Sequence, residues 1–415
     1  MSVVLFWIIA GIVLVHYTAL FLYLHRIRQD VWTKPAGDFT PKTMVLLALR
    51  GADPSLARTL EAVLTQDYPN YRVRFLIDSA EDPALPAVKA AVAKTGADHA
   101  EIKIITEHYQ TCALKCNALV HGVADLDRSY EAVAVLDADT NPPKDWLKRL
   151  VEPLSDARFP VASGVRWYIP ATPNTGSLVR YLWNAAAVFQ QNLYQIAWGG
   201  STAFRREMFT QGGLGDRWKY TITDDTPVRH VAGALGGQTA FVSTLFLPNR
   251  EVCTLAAFHR WVMRQMLCVR LYHPAWKAVI GQAVLITLPL IAVFVTLIIG
   301  MVNASLPVIG WCLGAMVLYW AGVSGTVPFM EHAVRRKMQQ RGETVPKWTF
   351  DRTWRTFAAV PLTQAVYTSA LLCLFFVRKI EWRGVQYAVA GKDVRLLEYK
   401  PYTGTSAGED NPSSL

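Results

Sequence analysis

A short apolar run that ends in two carboxylates constrains the fold of this chain more than any other feature. The run from Ala132 to Leu136 is apolar, with two β-branched valines, and Asp137 and Asp139 follow it closely. Such a run, bounded by polar residues, is typical of a buried strand in a mostly parallel sheet. In open α/β sheets, ligands bind at the carboxyl ends of the strands. Residues two apart in an extended segment point the same way, so both carboxylates can face one ligand.

The ligand that these carboxylates favour is a metal-bound diphosphate. Mg²⁺ and Mn²⁺ are hard cations that proteins typically hold through one or two carboxylates together with substrate phosphates. The alternative is that Asp137-Ala138-Asp139 only caps a turn before Pro142 and Pro143. The motif alone leaves both interpretations open.

Strands and helices alternate after the amino-terminal segment. Apolar runs predict strands at 44–49, 73–77 and 102–105, and apolar residues at helical spacing predict helices between them. Asp53 and Pro54 supply an N-cap and a first-turn proline for the first of these helices. The alternation predicts a doubly wound, Rossmann-related and mostly parallel sheet. The chain has no G-x-G-x-x-G motif, which disfavours a dinucleotide cofactor.

Further acidic residues accumulate around the predicted sheet. Asp78 directly follows the second strand, and Asp224 and Asp225 follow Thr223 in a later loop. A neighbouring like charge can raise the pKa of one of the two carboxyls, which suits a general base. The alternative is that Asp224 and Asp225 cap a helix that begins near Thr226.

Four apolar stretches are long enough to cross a bilayer, at 3–24, 279–302, 306–327 and 357–377. The chain is 52% hydrophobic and 18% charged, with a mean hydropathy of +0.19, and this predicts a mixed soluble and membrane architecture. Basic residues after the first and third stretches predict an amino terminus outside and a cytoplasmic domain after the first stretch. The basic segment after the fourth stretch conflicts with a fourth crossing, so a broken or re-entrant segment is favoured.

A formal net charge of +10 predicts anionic partners for this chain. The charge suits a protein that lies against an anionic leaflet and handles anionic substrates. Nucleic acid is the other interpretation of a basic chain, but no basic run interleaved with aromatic residues supports it. Cys112 and Cys116 lack a second ligand pair, so a zinc site is disfavoured.

The ordered set of motifs resembles the family 2 type inverting glycosyltransferases, and within them the ceramide glucosyltransferase group with its bacterial relatives. The resemblance spans residues 42–275, with a weaker similarity at Trp382-Arg383-Gly384. The segments that carry it are Leu49 to Leu56, Gln66-Asp67-Tyr68-Pro69, Asp82-Pro83-Ala84, Lys115 with Asn117, Asp137-Ala138-Asp139 and Thr223-Asp224-Asp225. It implies the α/β fold of a GT-A-like nucleotide-diphospho-sugar transferase, to which transmembrane helices are added.

The resemblance also implies roles for individual residues. Asp78 would bind the uridine of the donor, Asp137 would lie near its ribose and diphosphate, and Asp139 would ligate Mg²⁺ or Mn²⁺. Asp225 would be the general base. The other donor-side candidates are Lys115, Arg264 and Gln265, and the acceptor-side candidates are Trp167, Asp224 and Trp261. A metal and cations such as Lys115 and Arg264 stabilise the negative charge that develops on a departing nucleoside diphosphate.

The segment that closes the site departs from the family pattern Gln/Arg-x-x-Arg-Trp. The best match is Trp261-Val262-Met263-Arg264-Gln265, with Gln in place of the final Trp, and an alternative register uses Arg260 and Trp261. The resemblance implies that this Trp packs against the polymer end in processive synthases, so its loss favours the transfer of a single sugar. The alternative for Arg260 and Arg264 is an interfacial amphipathic helix with snorkelling side chains.

The expected function is therefore that of a membrane-bound inverting glycosyltransferase. One carboxylate base and no obvious nucleophile imply a single displacement with inversion. The enzyme would move one sugar, expected to be glucose, from a UDP-sugar to a lipid acceptor such as ceramide. The alternatives are a processive polysaccharide synthase of the cellulose, hyaluronan or chitin synthase type and, in another class, a non-catalytic membrane scaffold.

The predicted domains follow from these segments. They are a transmembrane helix at 1–27, a cytoplasmic GT-A-like domain at 28–275 that ends in an interfacial helix, membrane segments at 276–378, and a basic and then disordered tail at 379–415. The expected location is the bacterial inner membrane or, in a eukaryote, the Golgi or ER. The expected partners are the UDP-sugar, the lipid acceptor and the bilayer, without nucleic acid.

Overall fold

The structure is a computed structural model that describes residues 1–29, 39–170, 172 and 174–402. It contains a seven-stranded sheet covered by helices, a set of long apolar helices, and a separate three-stranded sheet late in the chain. The strands of the large sheet are β1 Thr43–Leu49, β2 Tyr71–Ile77, β3 Ala100–Ile104, β4 Ala132–Leu136, β5 Val161–Tyr168, β6 Ser201–Arg205 and β7 Thr239–Asn249. The strands of the small sheet are β8 Lys379–Trp382, β9 Val385–Ala390 and β10 Asp393–Glu398.

Thirteen α-helices occur in the described residues. In chain order they are α1 Ser2–Gln29, α2 Leu56–Leu64, α3 Ala84–Thr95, α4 Leu114–Ala124, α5 Trp146–Val151, α6 Thr175–Tyr194, α7 Glu207–Thr210, α8 Leu214–Trp218, α9 Val228–Ala234, α10 Leu255–Tyr272, α11 Trp276–Val302, α12 Leu306–Gln340 and α13 Phe350–Cys373. Two short 3₁₀ helices cover Glu152–Ser155 and Leu374–Phe376.

The large sheet has the strand order β3-β2-β1-β4-β6-β5-β7, and its parallel part is formed by the first four strands of this order. The first four strands run parallel, β6 is antiparallel to β4 and β5, and β7 is parallel to β5. Helices α2, α3 and α5 cover one face and α4, α8 and α9 the other, each with its own apolar cluster. The predicted fold class is confirmed, and the carboxyl ends of β1, β2 and β4 meet at one edge.

One local prediction was wrong at the start of α2. Asp53 was expected to cap this helix, but Ser55 occupies the N-cap position and no side chain caps it. The Asp53 carboxylate instead accepts a hydrogen bond from Nη2 of Arg383 at 2.5 Å. The ion pair with a distant arginine stabilises this carboxylate more than a neutral backbone N–H would.

Four helices, α1, α11, α12 and α13, are long and apolar enough to cross a membrane. The first three pack against one another through an apolar cluster that includes Ile9, Val293 and Ala315. At one crossing, a Cβ on Gly322 would come within 2.7 Å of the Val13 side chain, so the glycine allows α1 and α12 to approach closely.

Helix α13 has a different environment, because it packs on the helices of the sheet domain. Its residues Val360 and Ala370 share a cluster with Leu182 of α6 and Phe258 of α10. Just beyond its carboxyl end, the carbonyl oxygen of Leu374 accepts a hydrogen bond from Nη1 of Arg270 in α10, at 2.9 Å.

The chain before α13 is also bound to the sheet domain. The Arg250 Nη2 donates to the carbonyl oxygen of Thr344 at 2.8 Å. Both ends of α13 are therefore hydrogen-bonded to the sheet domain. The helix is continuous over Phe350–Cys373, so it is not broken, and the predicted re-entrant course stays a prediction.

The carboxyl-terminal segment forms a small sheet where only a basic tail was expected. Strands β8, β9 and β10 pair antiparallel, and Val385, Tyr387 and Leu396 pack on Leu114 at the start of α4. The basic residue Arg395 faces solvent on this sheet. Residues 403–415, where disorder was predicted, lie outside the described residues.

We expect β8–β10 and the large sheet to be accessible from the same side of the membrane. The test uses single cysteines in a Cys373→Ser background, since the other five cysteines are buried. Arg395→Cys and Asp216→Cys should react with an impermeant maleimide from one side, and Asn303→Cys, between α11 and α12, from the other. Opposite labelling of Arg395→Cys and Asp216→Cys would contradict a re-entrant α13.

Candidate active site

An open cleft lies at the carboxyl ends of β1 and β4. Its empty space is about 1100 Å³, including the mouth. It is bounded by the loops after these strands, by α10 and by the small sheet. Eight of the ten predicted site residues line it, namely Lys115, Asp137, Asp139, Asp224, Asp225, Trp261, Arg264 and Gln265. The other two, Asp78 and Trp167, do not.

Lys115 joins two carboxylates at the floor of the cleft. Its Nζ lies 2.6 Å from Oδ1 of Asp137 and 3.0 Å from Oδ1 of Asp224. Burial raises the pKa of Asp224 to about 6, against the opposing effect of Lys115. The pKa of Asp137 is lowered, since Lys115 outweighs its burial. Lys115 thus holds both carboxylates in place, and its single positive charge forms ion pairs with the two of them.

Asp139 differs from Asp137, because in the described part of the chain no cationic side chain lies within ion-pair distance of it. Its Oδ2 accepts a hydrogen bond from Nδ2 of Asn249 at 3.2 Å. Burial first, and then the negative charges of Asp137 and Glu251, raise the pKa of Asp139 to about 7. A buried carboxylate without a counter-ion is stabilised by any cation that enters the cleft.

The residues at Asp139 fit a divalent metal only in part. No group of three His, Cys, Asp or Glu side chains suited to a metal occurs among the described residues. Mg²⁺ and Mn²⁺ need no such protein cage when substrate phosphates and water complete the coordination. Asp139, with Asp137 beside it, could therefore hold a metal that arrives with a diphosphate.

Asp225 is held with its carboxylate at the cleft. Its Oδ1 accepts a hydrogen bond from Oγ1 of Thr223 at 2.6 Å, and its Oδ2 accepts one from the backbone N–H of Gly199 at 3.1 Å. No side chain caps α9, which begins after Pro227. The helix-capping alternative for Asp224 and Asp225 is therefore wrong.

Two glycines let the backbone approach these carboxylates. A Cβ on Gly199 would lie 2.4 Å from Oδ2 of Asp224, and one on Gly200 would lie 2.7 Å from Oδ2 of Asp137 and 2.3 Å from the Trp198 ring. No larger residue fits at either position without moving a carboxylate. The Gly-Gly turn thus sets the spacing between the Asp-x-Asp side and the Asp225 side of the cleft.

The geometry of this cleft agrees with the match of the chain to a family model. The model that matches residues 6–394 is described as Glycosyl transferase family 21. The chain belongs to glycosyl transferase family 21. The predicted glycosyltransferase activity is confirmed. The predicted resemblance to the ceramide glucosyltransferase group fits family 21 and stays a prediction.

This family 21 chain is also similar to several solved structures. A Pyrobaculum calidifontis mannosyltransferase with GDP-Man and Mn²⁺ is 18% identical, with a TM-score of 0.46 over 90% of this chain and 99% of its own. Residues 1–349 of S. aureus TarS are 12% identical, with a TM-score of 0.38 over 86% and 100%. GalNAc-T7 with UDP, GalNAc and Mn²⁺ is 14% identical, with a TM-score of 0.40 over 58% and 50%. The assignment itself therefore rests on the family match.

Two arginines bring positive charge to the wall of the family 21 cleft. Arg264 was predicted, and burial, with the nearby guanidinium groups of Arg166 and Arg383, lowers its pKa. Arg166 was missed. Its guanidinium lies 5.4 Å from the ring centroid of Trp198 and 5.0 Å from that of Trp261, and its buried Nε has no hydrogen-bond partner among the described residues. An anionic ligand would supply that partner.

Trp167 was predicted on the acceptor side, and the structure contradicts this. Its side chain is only 1% exposed and makes edge contacts with Tyr181 and Phe246 in the core. Successive residues of a strand face opposite sides, so Arg166 faces the cleft where Trp167 cannot. The alternation of strand β5 puts Arg166 and Trp167 on opposite faces, but it does not say which of the two faces the cleft.

Asp78 lies at the expected edge of the sheet but is covered. It is 6% exposed and pairs with Nη1 of Arg50. The Tyr399 hydroxyl donates to its Oδ2 at 3.2 Å, and the Tyr399 ring stacks on His108 with centroids 3.8 Å apart. Residues that follow β10 thus separate Asp78 from the cleft, and its predicted contact with uridine stays a proposal.

Helix α10 carries the predicted closing segment in the register that was preferred. Arg264 and Gln265 line the cleft, whereas Arg260 is exposed. Trp261 lies one helical turn before Gln265 and also lines the cleft, 2% exposed. An aromatic ring is therefore present although the motif has Gln at the position of Trp.

The small sheet adds residues that no motif predicted as part of the site. Ile380, Trp382, Arg383 and Tyr387 line the cleft opposite α10. The similarity at Trp382-Arg383-Gly384 was the only sequence signal for them. A segment that begins more than a hundred residues after the family's closing motif thus forms one wall of the site.

Proposed function

We propose that this chain transfers a single sugar from a UDP-sugar to a hydroxyl group of a membrane lipid such as ceramide, with inversion at the anomeric carbon. The observation that carries the proposal is that one cleft holds both Asp139, which has no ion-pair partner among the described residues, and Asp225, which is held by Thr223 and Gly199. The first suits a metal-bound diphosphate and the second suits a base. The Gly199-Gly200 turn lies between them.

At the donor end, Asp139 and Asp137 would hold Mg²⁺ or Mn²⁺. The bound metal supplies charge that stabilises the departing UDP. Arg166 and Arg264 lie in the same cleft, and their guanidinium groups can donate hydrogen bonds to phosphate oxygens. Lys115 keeps Asp137 in position from below.

At the acceptor end, Asp225 would accept the proton of the attacking hydroxyl. Thr223 and Gly199 each occupy one carboxylate oxygen, which orients the group while leaving further lone pairs available. No second carboxylate is needed for a single displacement, and the anomeric centre then inverts.

The position of α10 supports a lipid acceptor. One side of this helix, with Trp261, Arg264 and Gln265, lines the cleft. It also packs against α6, α13 and α11, and Met266 and Leu267 share an apolar cluster with Val279 of α11. A single helix therefore separates the cleft from the apolar helices, and a lipid hydroxyl would have a short path to Asp225.

The test is label transfer in membranes that contain the chain, with ceramide, Mn²⁺ and a panel of labelled UDP-sugars. We expect label in the lipid fraction, and its loss when a chelator removes the metal. Label found only in polymer would favour the processive alternative, for which Trp261 offers an aromatic surface. Diacylglycerol and polyprenyl phosphate are tested as acceptors in the same way. If the donor is hydrolysed but no lipid is labelled with any acceptor, the proposed catalytic residues would stand and the lipid acceptor class would be rejected.

A further inference from the structure

The tip of the hairpin between β8 and β9 carries an arginine where a turn residue is expected. Trp382 pairs with Val385, so Arg383 and Gly384 form a two-residue turn. Their φ angles are +47° and +75°. A two-residue hairpin turn with positive φ at both positions is of type I′, for which Asn-Gly and Gly-Gly are strongly preferred.

An arginine at this position is strained by its backbone conformation. Non-glycine residues in the left-handed region other than Asn and Asp are uncommon, and they cluster where surrounding structure over-determines them, often at functional sites. Only three non-glycine residues in the described chain have positive φ, and Arg383 is the one that lines the cleft.

The side chain of Arg383 is built into the active site. It is 10% exposed, its Nη2 donates to Oδ2 of Asp53 at 2.5 Å, and its Nη1 donates to the carbonyl oxygen of Arg50 at 2.5 Å. These bonds use two of the five N–H donors of a guanidinium. They also fix its plane at the carboxyl end of β1.

The charges around Arg383 show what this guanidinium faces. Asp139 contributes to the field at Arg383, and Arg383 in turn contributes to the field at Arg264. Arg383 therefore lies in the same cleft as the predicted diphosphate cations and as Asp139, the carboxylate that would hold the metal. Arginine at such a position can bind phosphate oxygens through its remaining donors.

Docking of the small sheet does not by itself require this arginine. The apolar residues Val385, Tyr387 and Leu396 pack on Leu114, and the Tyr387 hydroxyl accepts a hydrogen bond from the Leu114 backbone N–H at 3.2 Å. A turn of Asn-Gly would relieve the strain and keep these contacts. The presence of an arginine at this turn position is therefore not explained by docking of the small sheet.

We propose that Arg383 binds the diphosphate of the sugar nucleotide, which makes the carboxyl-terminal hairpin a part of the donor site. The inference rests on the proposed function, since it assumes a nucleoside diphosphate donor. Asp53 and the Arg50 carbonyl aim the guanidinium, and Asp53 is a positioning residue in this account.

The experiment compares the purified full chain with Arg383→Asn, Asp53→Asn and a matched control, Arg395→Asn, on the exposed face of β10. Binding of UDP with Mn²⁺ is measured by calorimetry, together with thermal stability. We expect Arg383→Asn to weaken UDP binding by about 10- to 100-fold, as lost charge-assisted hydrogen bonds imply, with little change in melting temperature. Arg395→Asn should bind as the wild type does.

The Asp53→Asn variant distinguishes two roles of Arg383, namely binding of phosphate and fixation of the hairpin through its ion pair with Asp53. If Arg383 binds phosphate, Asp53→Asn keeps the cation and should retain most UDP binding. If the Arg383–Asp53 pair only holds the hairpin, both variants should lose stability and binding alike, and that result would overturn the inference. Unchanged UDP binding in Arg383→Asn would overturn it while the proposed function stood. A wild-type chain that bound no UDP would overturn both.

Discussion

Replacing Asp225 with Asn should lower the rate of sugar transfer by about 10²- to 10⁴-fold, the range that a positioned general base contributes. The Asn side chain has nearly the same shape, and its oxygen can still accept the Thr223 hydrogen bond. It cannot take the proton of the acceptor hydroxyl. The measurement is the initial rate of labelled lipid formation at saturating UDP-sugar and Mn²⁺.

Two further measurements make this prediction specific. Donor binding should survive, because Asp225 lies apart from Asp139, so the dissociation constant of UDP with Mn²⁺ should change by less than about threefold. Asp216→Asn, on an exposed side chain of α8, is the matched control and should keep wild-type activity. A wild-type rate in Asp225→Asn would exclude Asp225 as the base and make its neighbour Asp224 the next candidate.

The parts of the fold that depend on local pattern were predictable. Apolar runs located β1, β2 and β4, and the rule that ligands bind at strand carboxyl ends brought Asp137 and Asp139 to the site. The resemblance of Thr223-Asp224-Asp225 to a family motif supplied Asp225. The order of motifs, which does not depend on exact helix boundaries, supplied Lys115 and Arg264. These residues all line the cleft.

The errors arose where a partner lies far away in the sequence. Asp53 has the local signature of a helix cap, but Arg383, 330 residues later, binds its carboxylate. Asp78 follows its strand as expected, yet Tyr399, 321 residues later, covers it. Hydrophobic periodicity in the sequence does not identify either Arg383 or Tyr399 as a partner, because the strands of the small sheet are short and half of their residues face solvent.

Strand β5 illustrates a second kind of error. Trp167 was predicted on the acceptor side, although a one-residue shift moves a strand side chain to the other face. The structure buries Trp167 among Tyr181 and Phe246 and turns Arg166 to the cleft. Which face of β5 meets the cleft depends on β7 and α6, and this could not be derived from β5 alone.

Replacing Asp139 with Asn should abolish transfer and at the same time stabilise the metal-free protein at pH 8. In the folded chain the pKa of Asp139 is raised to about 7 by burial and by Asp137 and Glu251. An unfolded Asp has a pKa near ~3.9, so the folded state binds this proton more tightly. The stability that Asp139 contributes is therefore present below pH 4 and is lost as the pH rises towards 7.

The size of the effect follows from the shift. At 1.36 kcal/mol per pKa unit the upper limit is about 4 kcal/mol, and partial hydration of the cleft reduces the expected gain at pH 8 to about 1–3 kcal/mol. The measurement is the melting temperature of wild type and Asp139→Asn at pH 5 and pH 8 in the presence of a chelator. The variant should melt higher at pH 8, and the difference should be smaller at pH 5, where Asp139 is protonated in the folded chain but already ionised in the unfolded chain.

Adding metal and nucleotide should reverse the order of stability. Mn²⁺ with UDP binds only the folded wild type and raises its melting temperature with the logarithm of the ligand concentration, whereas Asp139→Asn has lost the metal ligand. Asp216→Asn again serves as the control, because an exposed carboxylate should change neither curve. Equal stability of wild type and Asp139→Asn at pH 8 would mean that a cation already compensates Asp139 in the ligand-free protein. The metal would then have to bind elsewhere in the cleft.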